Sequence, residues 1–209
     1  MNLRLVFLLV AIALFSCGHN KEVQLPKAHF SVLSKLENHS MIYLFFNKVG
    51  KDTLVEVNRK NAISSTNWVF SVDKRLPLQE VIPEIQFLQA KKENSPHKSE
   101  GSQNLFAYAN DSLQSLAFIP FTRVNYLFGH PCPTPKDYVL AVSKTGAFLH
   151  QAKPITIQTI RAKVAENTNQ NIHLLLVFDS AMNFETYLRA KITFAQKGIK
   201  QLSTTEYIN

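Results

Sequence analysis

Two cysteines, Cys17 and Cys132, carry the most reactive side chains of this chain. A thiolate can act as a nucleophile, bind a metal or form a disulfide. Cys132 stands two residues after His130, and both side chains have zinc-binding chemistry. A closed zinc site needs four ligands, and no other His–Cys cluster in the sequence completes one. We therefore predict no metal and no cofactor, and we interpret this segment as a proline-rich linker.

Three further residues are candidates for binding a partner. Asp179 follows an apolar run, where a functional carboxylate can lie, although such an Asp more often bonds turn amides or caps the next helix. Lys91 and Lys92 are the first residues of a polar loop. This loop is either a solvated surface or a contact for anionic lipid or glycan. The sequence has no Gly-rich phosphate loop and no recognisable nucleophile motif. We therefore predict that the chain is not an enzyme.

The first 16 residues have the layout of a secretory signal. One cation, Arg4, precedes an apolar run over residues 5–15, and the small residue Ser16 follows. The run is 11 residues long, whereas a helix needs about 20 to cross a bilayer. Leu14-Phe15-Ser16-Cys17 resembles the bacterial lipobox, which implies cleavage before Cys17 and acylation of its thiol. The alternatives are an ordinary secretory signal with a chance cysteine and an uncleaved short anchor.

Acylation of Cys17 implies a protein anchored in the cell envelope and facing the periplasm. Two or more acyl chains hold a protein firmly on a membrane, whereas a single chain does not. Gly18 follows the cysteine, where an Asp favours the inner membrane in enteric bacteria, so we favour the outer membrane. Residues 17–27 are polar, and we predict a flexible tether there.

Composition predicts a folded, basic protein. The chain is 45% hydrophobic and 11% aromatic, which is enough to build a core. Without the leader it has 22 basic and 15 acidic residues, a net charge of +7. This charge favours anionic partners such as lipid headgroups, cell-wall polymer or an acidic protein face, while secretion excludes nucleic acid. With Cys17 acylated, Cys132 has no intrachain disulfide partner and could pair only between chains.

A proline-rich segment divides the folded part. Residues 129–137 include three prolines within five positions, which neither a helix nor a central strand accommodates. We predict a linker there, between an N-terminal α+β domain over residues 28–128 and a C-terminal domain over residues 138–209.

The hydrophobic pattern predicts an α+β fold with two small mixed sheets and helices packed on one face. In the C-terminal half the predicted order is β-β-α-β-α-β, with strands at 138–142, 147–150, 172–178 and 199–208. The N-terminal half predicts a hairpin at 41–46 and 52–57, a strand at 68–72, a helix after Pro77 and a strand at 105–109. Asn110-Asp111-Ser112 is the predicted counterpart of Asp179-Ser180, which suggests a decayed internal duplication.

The C-terminal half has a characteristic order of local features over about 70 residues. A strand and turn come first, followed by a helix start, a buried strand ending in Asp, an early aromatic in the second helix and a Gly-Ile pair. These features are residues 142–146 and 148–149, Pro154-Ile155-Thr156-Ile157, residues 174–179, Phe184 with Tyr187, and Gly198-Ile199. In this order the C-terminal half resembles the periplasmic domain of the ExbD/TolR family of biopolymer-transport proteins.

This resemblance implies a domain that dimerises or binds an envelope transport or energy-transduction partner. Family members carry an N-terminal transmembrane helix with an aspartate for proton coupling. Residues 5–15 contain no acid and are too short to span a membrane, so proton coupling is not implied here. The alternative function is a lipoprotein that binds peptidoglycan through its basic residues.

Overall fold

The computed structural model describes residues 21–166, 173–199 and 202–209. Over these ranges the chain forms two mixed β-sheets and three α-helices, which confirms the predicted α+β class. The leader and Cys17 lie outside the described residues.

The first sheet holds six strands, with the central order β3-β2-β4-β5. β2 and β3 form an antiparallel hairpin, β4 runs parallel to both β2 and β5, and helix α1 connects β4 to β5. β6 pairs antiparallel with one edge of β5, and the short β1 pairs parallel with the end of its other edge. The bounds are β1 Lys27–Ala28, β2 His39–Val49, β3 Asp52–Asn58, β4 Asn67–Val72, α1 Leu78–Glu93, β5 Asn104–Asn110 and β6 Ser115–Pro120.

The second sheet also holds six strands, in the order β10-β9-β8-β11-β12-β7. β8, β11, β12 and β7 are parallel neighbours, and β9 and β10 pair antiparallel at the other edge. The predicted β-β-α-β-α-β order is confirmed, with the two-residue β10 added. The bounds are β7 Asn125–Phe128, β8 Asp137–Val142, β9 Phe148–His150, β10 Lys153–Pro154, α2 Ile157–Glu166, β11 His173–Phe178, α3 Phe184–Gln196 and β12 Leu202–Ile208.

The two sheets share one topology. Each has an antiparallel hairpin, a central strand parallel to the first hairpin strand, a helix, and a further parallel strand. The turns after the central strands match in detail: the amide of Asp73 bonds Leu44 O at 3.0 Å, and that of Asp179 bonds Val142 O at 3.2 Å. Asp73 is therefore the counterpart of Asp179, and the predicted equivalence with Asn110-Asp111-Ser112 is wrong.

The two matching turns bind each other through reciprocal backbone hydrogen bonds. Leu78 N donates to Met182 O at 2.9 Å, and Phe184 N donates to Leu76 O at 2.8 Å. One residue further on, Gln79 N donates to Ser180 O at 3.0 Å and Glu185 N to Lys74 O at 3.1 Å. Each bond donated by the first half has an equivalent bond donated by the second half. The two turns are therefore related by a local two-fold axis. The amides at the starts of α1 and α3, which a helix leaves unpaired, are thereby satisfied.

Both halves contribute to one hydrophobic core. Buried side chains from β4, β5 and α1 form a single cluster with those from β8, β11 and α3, for example Phe106, Phe184 and Tyr187. The rings of Phe106 and Phe184 lie 5.1 Å apart, edge to face. The predicted division at residues 129–137 is therefore wrong as a domain boundary: β7 precedes this segment yet pairs with β12, which follows it.

The N-terminal segment covers the opposite face of the first sheet. Leu25, Leu33 and Leu36 pack on a second cluster that includes Val69 and Leu105. The backbone of Gln24 exchanges hydrogen bonds with Asp73 and Lys74, and Pro26 O accepts from the amide of Ala109. Residues 24–27 therefore belong to the folded domain, which corrects the predicted tether over residues 17–27.

Because the core is shared, the chain should unfold as one unit. We expect Phe184→Ala to lower the free energy of unfolding by about 3–5 kcal/mol, since it removes a fully buried ring at the junction of the halves. The exposed Phe87→Ala is the control, with an expected change of about 0.5 kcal/mol. Denaturant titration followed by Trp68 fluorescence and by circular dichroism should give coincident curves. Two separate transitions would contradict a common core.

Candidate functional site

Asp179 lies in the turn between β11 and α3. Its carboxylate accepts a hydrogen bond from the amide of Ala181 at 2.9 Å, and Asp73 accepts the matching bond from Arg75 at 3.1 Å. The turn-amide interpretation of Asp179 is therefore confirmed. The carboxylate is only partly exposed, and its geometry is that of a turn residue.

The two candidate lysines at the end of α1 have opposite environments. Lys91 is exposed and remains available to a partner, but Lys92 is 2% exposed and cannot present a charge to one. Its ammonium donates to Gln103 O at 2.9 Å and to Asn104 Oδ1 at 3.1 Å, and lies 5.2 Å from the centre of the Trp68 ring. The prediction of Lys92 as a surface contact is corrected: it ties the end of α1 to the start of β5.

Burial changes the acidity of Lys92. Loss of hydration, helped by the nearby charge of Lys98, lowers the pKa of its ammonium to about 8. Lys92 is therefore the described lysine whose charge is most sensitive to mildly alkaline conditions.

His130 and Cys132 are both exposed, and the Cys132 thiol is free. Within the described ranges, no group of three or more His, Cys, Asp or Glu side chains has an arrangement that could hold a metal ion. The segment that carries these two residues connects β7, at one edge of the second sheet, to β8, which lies beyond β12 and β11 in the strand order.

A buried polar network in the second half was missed by the sequence analysis. Glu206 on β12 is completely buried and forms an ion pair with Lys191 of α3. Its second oxygen accepts from the Tyr187 hydroxyl at 2.8 Å, and that hydroxyl lies 3.1 Å from the hydroxyl of Tyr126 on β7. The network thus joins β7, α3 and β12 through four side chains.

The two tyrosines of this network are weaker acids than a free phenol. Burial, together with the adjacent Glu206 carboxylate, raises the pKa of both Tyr126 and Tyr187 well above that of a free phenol. Lys191 and the Tyr187 hydroxyl each bond one oxygen of Glu206, so both oxygens of this buried carboxyl group have a partner. This arrangement supports the structure of the β7–β12 edge and supplies no exposed nucleophile or base.

The repeated topology shows that the fold does not require a carboxylate at this position. Phe70 pairs with Phe106 in the first sheet, and Leu176, the counterpart of Phe70, pairs with Glu206 in the second. Glu206 therefore stands where the first half has an aromatic ring, stacked there on Phe121 at 3.8 Å. One sequence signal was available: in β12, Glu206 falls on the inward side of the strand, two residues before the buried Ile208.

Two clefts of about 700 Å³ each adjoin at Thr122, in the connection between β6 and β7. One is lined by Lys98, Arg123 and the loop at residues 100–103, and the other mainly by amide and hydroxyl side chains of α1, β7 and β12. Among the described residues, Ser102 Oγ, in the first cleft, is the buried side-chain atom without a hydrogen-bond partner. The lining suits a polar ligand.

The edges of the two sheets differ in how they are protected. Gln86 and Gln89 of α1 donate to Tyr126 O at 3.0 Å and Val124 O at 3.1 Å, which occupies one outer carbonyl of the four-residue β7 and the carbonyl just before it. The β10 edge is two residues long and includes Pro154, which has no amide hydrogen to donate. β3 is a seven-residue edge strand, and no hydrogen bond of the described residues reaches its outer backbone groups. β3 is therefore the longest open edge of the described fold.

No protein-family model, curated protein or solved structure matches this chain. Among the described residues, no helix is both long enough and apolar enough to cross a membrane. The fold and the site define the class as an α+β protein of two mixed sheets with matching topology.

The lowered pKa of Lys92 makes stability depend on pH in a defined window. Between about 8 and the ordinary lysine value of 10.5, the unfolded chain binds a proton that the folded chain has lost. The free energy of unfolding should therefore rise by roughly 1–2 kcal/mol between pH 8 and 9.5, measured by urea titration. Lys92→Met should abolish this rise, whereas the matched Lys91→Met variant should retain it. A flat profile for the parent protein, or the same profile for both variants, would contradict the assignment.

Proposed function

We propose that this chain is a non-catalytic, lipid-anchored protein of the cell envelope that dimerises or binds an envelope transport or energy-transduction partner. The lipobox-like leader is the basis for the anchor at Cys17. The β-β-α-β-α-β order of the second half supports the likeness to the ExbD/TolR periplasmic domain. Proton coupling forms no part of the proposal.

The open edge of β3 is the observation that carries the binding function. Asp73 N donates to Leu44 O, so the even-numbered residues of β2 face β4 and the odd-numbered ones face β3. By their register, Asp52, Leu54 and Glu56 bond to β2, and the residues between them direct their backbone groups outward. An extended segment of a partner can pair with such an edge and extend the sheet. The edges at β7 and β10 are shorter, and each has an outer backbone group that cannot pair with a partner.

The anchor is tested by metabolic labelling. We expect the full chain to incorporate radiolabelled palmitate and to sediment with membranes, and Cys17→Ser to lose both properties because the acyl acceptor is removed. Cys132→Ser is the matched control and should label like the parent. Equal labelling of the parent and Cys17→Ser would contradict the lipoprotein assignment.

The β3 edge is tested by a proline at an outward position. Thr53→Pro removes one outward amide and leaves the β2–β3 ladder intact, so the fold should persist while crosslinking to the partner, or to a second copy, falls at least about tenfold. The measurement is chemical crosslinking of the anchored chain in membranes, with circular dichroism as the check on folding.

Thr53→Ala is the matched control, because it removes the same side chain and keeps the outward backbone amide. We expect Thr53→Ala to leave the crosslinks unchanged. Crosslinks that survive Thr53→Pro would contradict strand addition at β3. Retained binding to purified peptidoglycan in both variants would instead favour the cell-wall alternative, for which the polar clefts offer a surface.

A further inference from the structure

The β2–β3 hairpin extends beyond the sheet to which it belongs. β2 pairs with β4 from His39 only as far as Leu44, but continues its pairing with β3 to Val49. Residues 45–56, which we call the arm, are therefore a two-stranded projection. The equivalent hairpin in the second half has no such extension, since β8 ends at Val142, the counterpart of Leu44. The arm is thus an addition to the repeated topology.

One face of the arm carries exposed apolar side chains between polar ones. Val49 and Leu54 lie on this face and are 55% and 47% exposed, with Asp52 opposite Val49 and Asn47 opposite Leu54. The half-buried rings of Tyr43 and Phe45 stack on this face at 5.9 Å and continue the apolar surface toward the body of the sheet. The opposite face is the inner one, with Leu44 buried and Phe46 beneath the Arg75 guanidinium.

The charges at the tip of the arm are mainly positive. Lys48 and Lys51 flank the turn, and Asp52 is the acidic residue beside them. Glu56, at the base of the arm, forms an ion pair with Lys21. Two lysines around exposed apolar side chains are suited to a surface that is apolar inside and anionic at its boundary, as a phospholipid bilayer is.

The position of Lys21 brings the arm close to the proposed anchor. Cys17 precedes Lys21 by four residues, so their Cα atoms can be at most about 14 Å apart. The Lys21 ammonium contacts Glu56, and the tip of the arm lies about 13 Å further along β3. The acyl chains on Cys17 can therefore enter a membrane at the place where the tip of the arm would touch it.

We propose that the arm is a membrane-contacting element, with Val49 and Leu54 inserted at the headgroup boundary and Lys48 and Lys51 against anionic headgroups. The inference rests on the proposed acylation of Cys17. It also predicts an orientation. The first sheet contacts the membrane through the tip of its hairpin, and the part of β3 farther from the membrane keeps its outer edge accessible to a partner.

The test uses the acylated full chain with Cys132→Ser, reconstituted in vesicles of phosphatidylethanolamine and phosphatidylglycerol. The environment-sensitive fluorophore NBD is attached to a Val49→Cys variant and, as the matched control, to an Ile63→Cys variant. Ile63 is 60% exposed in the connection between β3 and β4, at the end of the first sheet opposite the tip of the arm. NBD at position 49 should shift its emission to the blue and lose about half its intensity when the lipids carry doxyl quenchers. NBD at position 63 should show neither effect.

The charge contribution is measured in the same system. Lys48→Glu with Lys51→Glu should reduce quenching at position 49 on anionic vesicles at least about twofold, since each lysine near an anionic surface favours contact. Equal quenching at positions 49 and 63 in a chain that does carry palmitate would overturn the arm proposal while leaving the anchor intact. A chain that takes up no palmitate would overturn the anchor itself, and the two failures are thereby distinguished.

Discussion

The reciprocal bonds between the two βα turns are the constraint on which the rest of this fold depends. They fix Lys74 to Gln79 against Ser180 to Glu185, and both helices start from this junction. Because each turn satisfies the first amides of the helix in the other half, neither helix start is complete alone. The shared core follows directly, since α1 and α3 are held where their apolar faces meet both sheets. A protein built this way has two topological halves and one folding unit.

Comparison of the two halves also distinguishes residues that the shared topology uses in both halves from residues that occur in one half alone. Asp73 and Asp179 perform the same turn function in both halves, so neither requires a special role. The Asp73 carboxylate is also bound by Arg75. Burial alone raises the pKa of Asp73, but hydrogen bonds from the Arg75 side chain, the Arg75 amide and the Gln24 amide have the larger effect. The pKa of Asp73 is therefore lowered. Glu206, by contrast, replaces an aromatic position, and burying a carboxylate is costly unless a cation and hydrogen bonds compensate. Lys191 and Tyr187 provide that compensation, which ties the outer strands of the second sheet to α3.

Sequence patterns predicted the local elements well and the long-range relations poorly. The order of the C-terminal half and the hairpin at residues 39–58 follow from alternation and turn residues, which are local signals. The linker at 129–137 was misread because the partner of β7 is β12, about 80 residues later, and a four-residue strand carries no periodicity. Lys92 looked like part of a solvated loop because its neighbours in sequence are polar. Its burial depends on Trp68 and Asn104, which only the folded chain brings to it.

The unequal protection of the sheet edges limits how copies of this protein can assemble. A fold with two open edges can add neighbours at both sides without end, as fibres do. Here Leu33 bridges β6 at the other edge of the first sheet, a glutamine of α1 occupies a carbonyl of β7 and a proline ends β10, while β3 presents a long free edge. Pairing of β3 with β3 of a second copy would use the same strand on both sides and leave neither free, so association would stop at a closed two-fold pair. The protection of the other edges thus limits the size of the assembly.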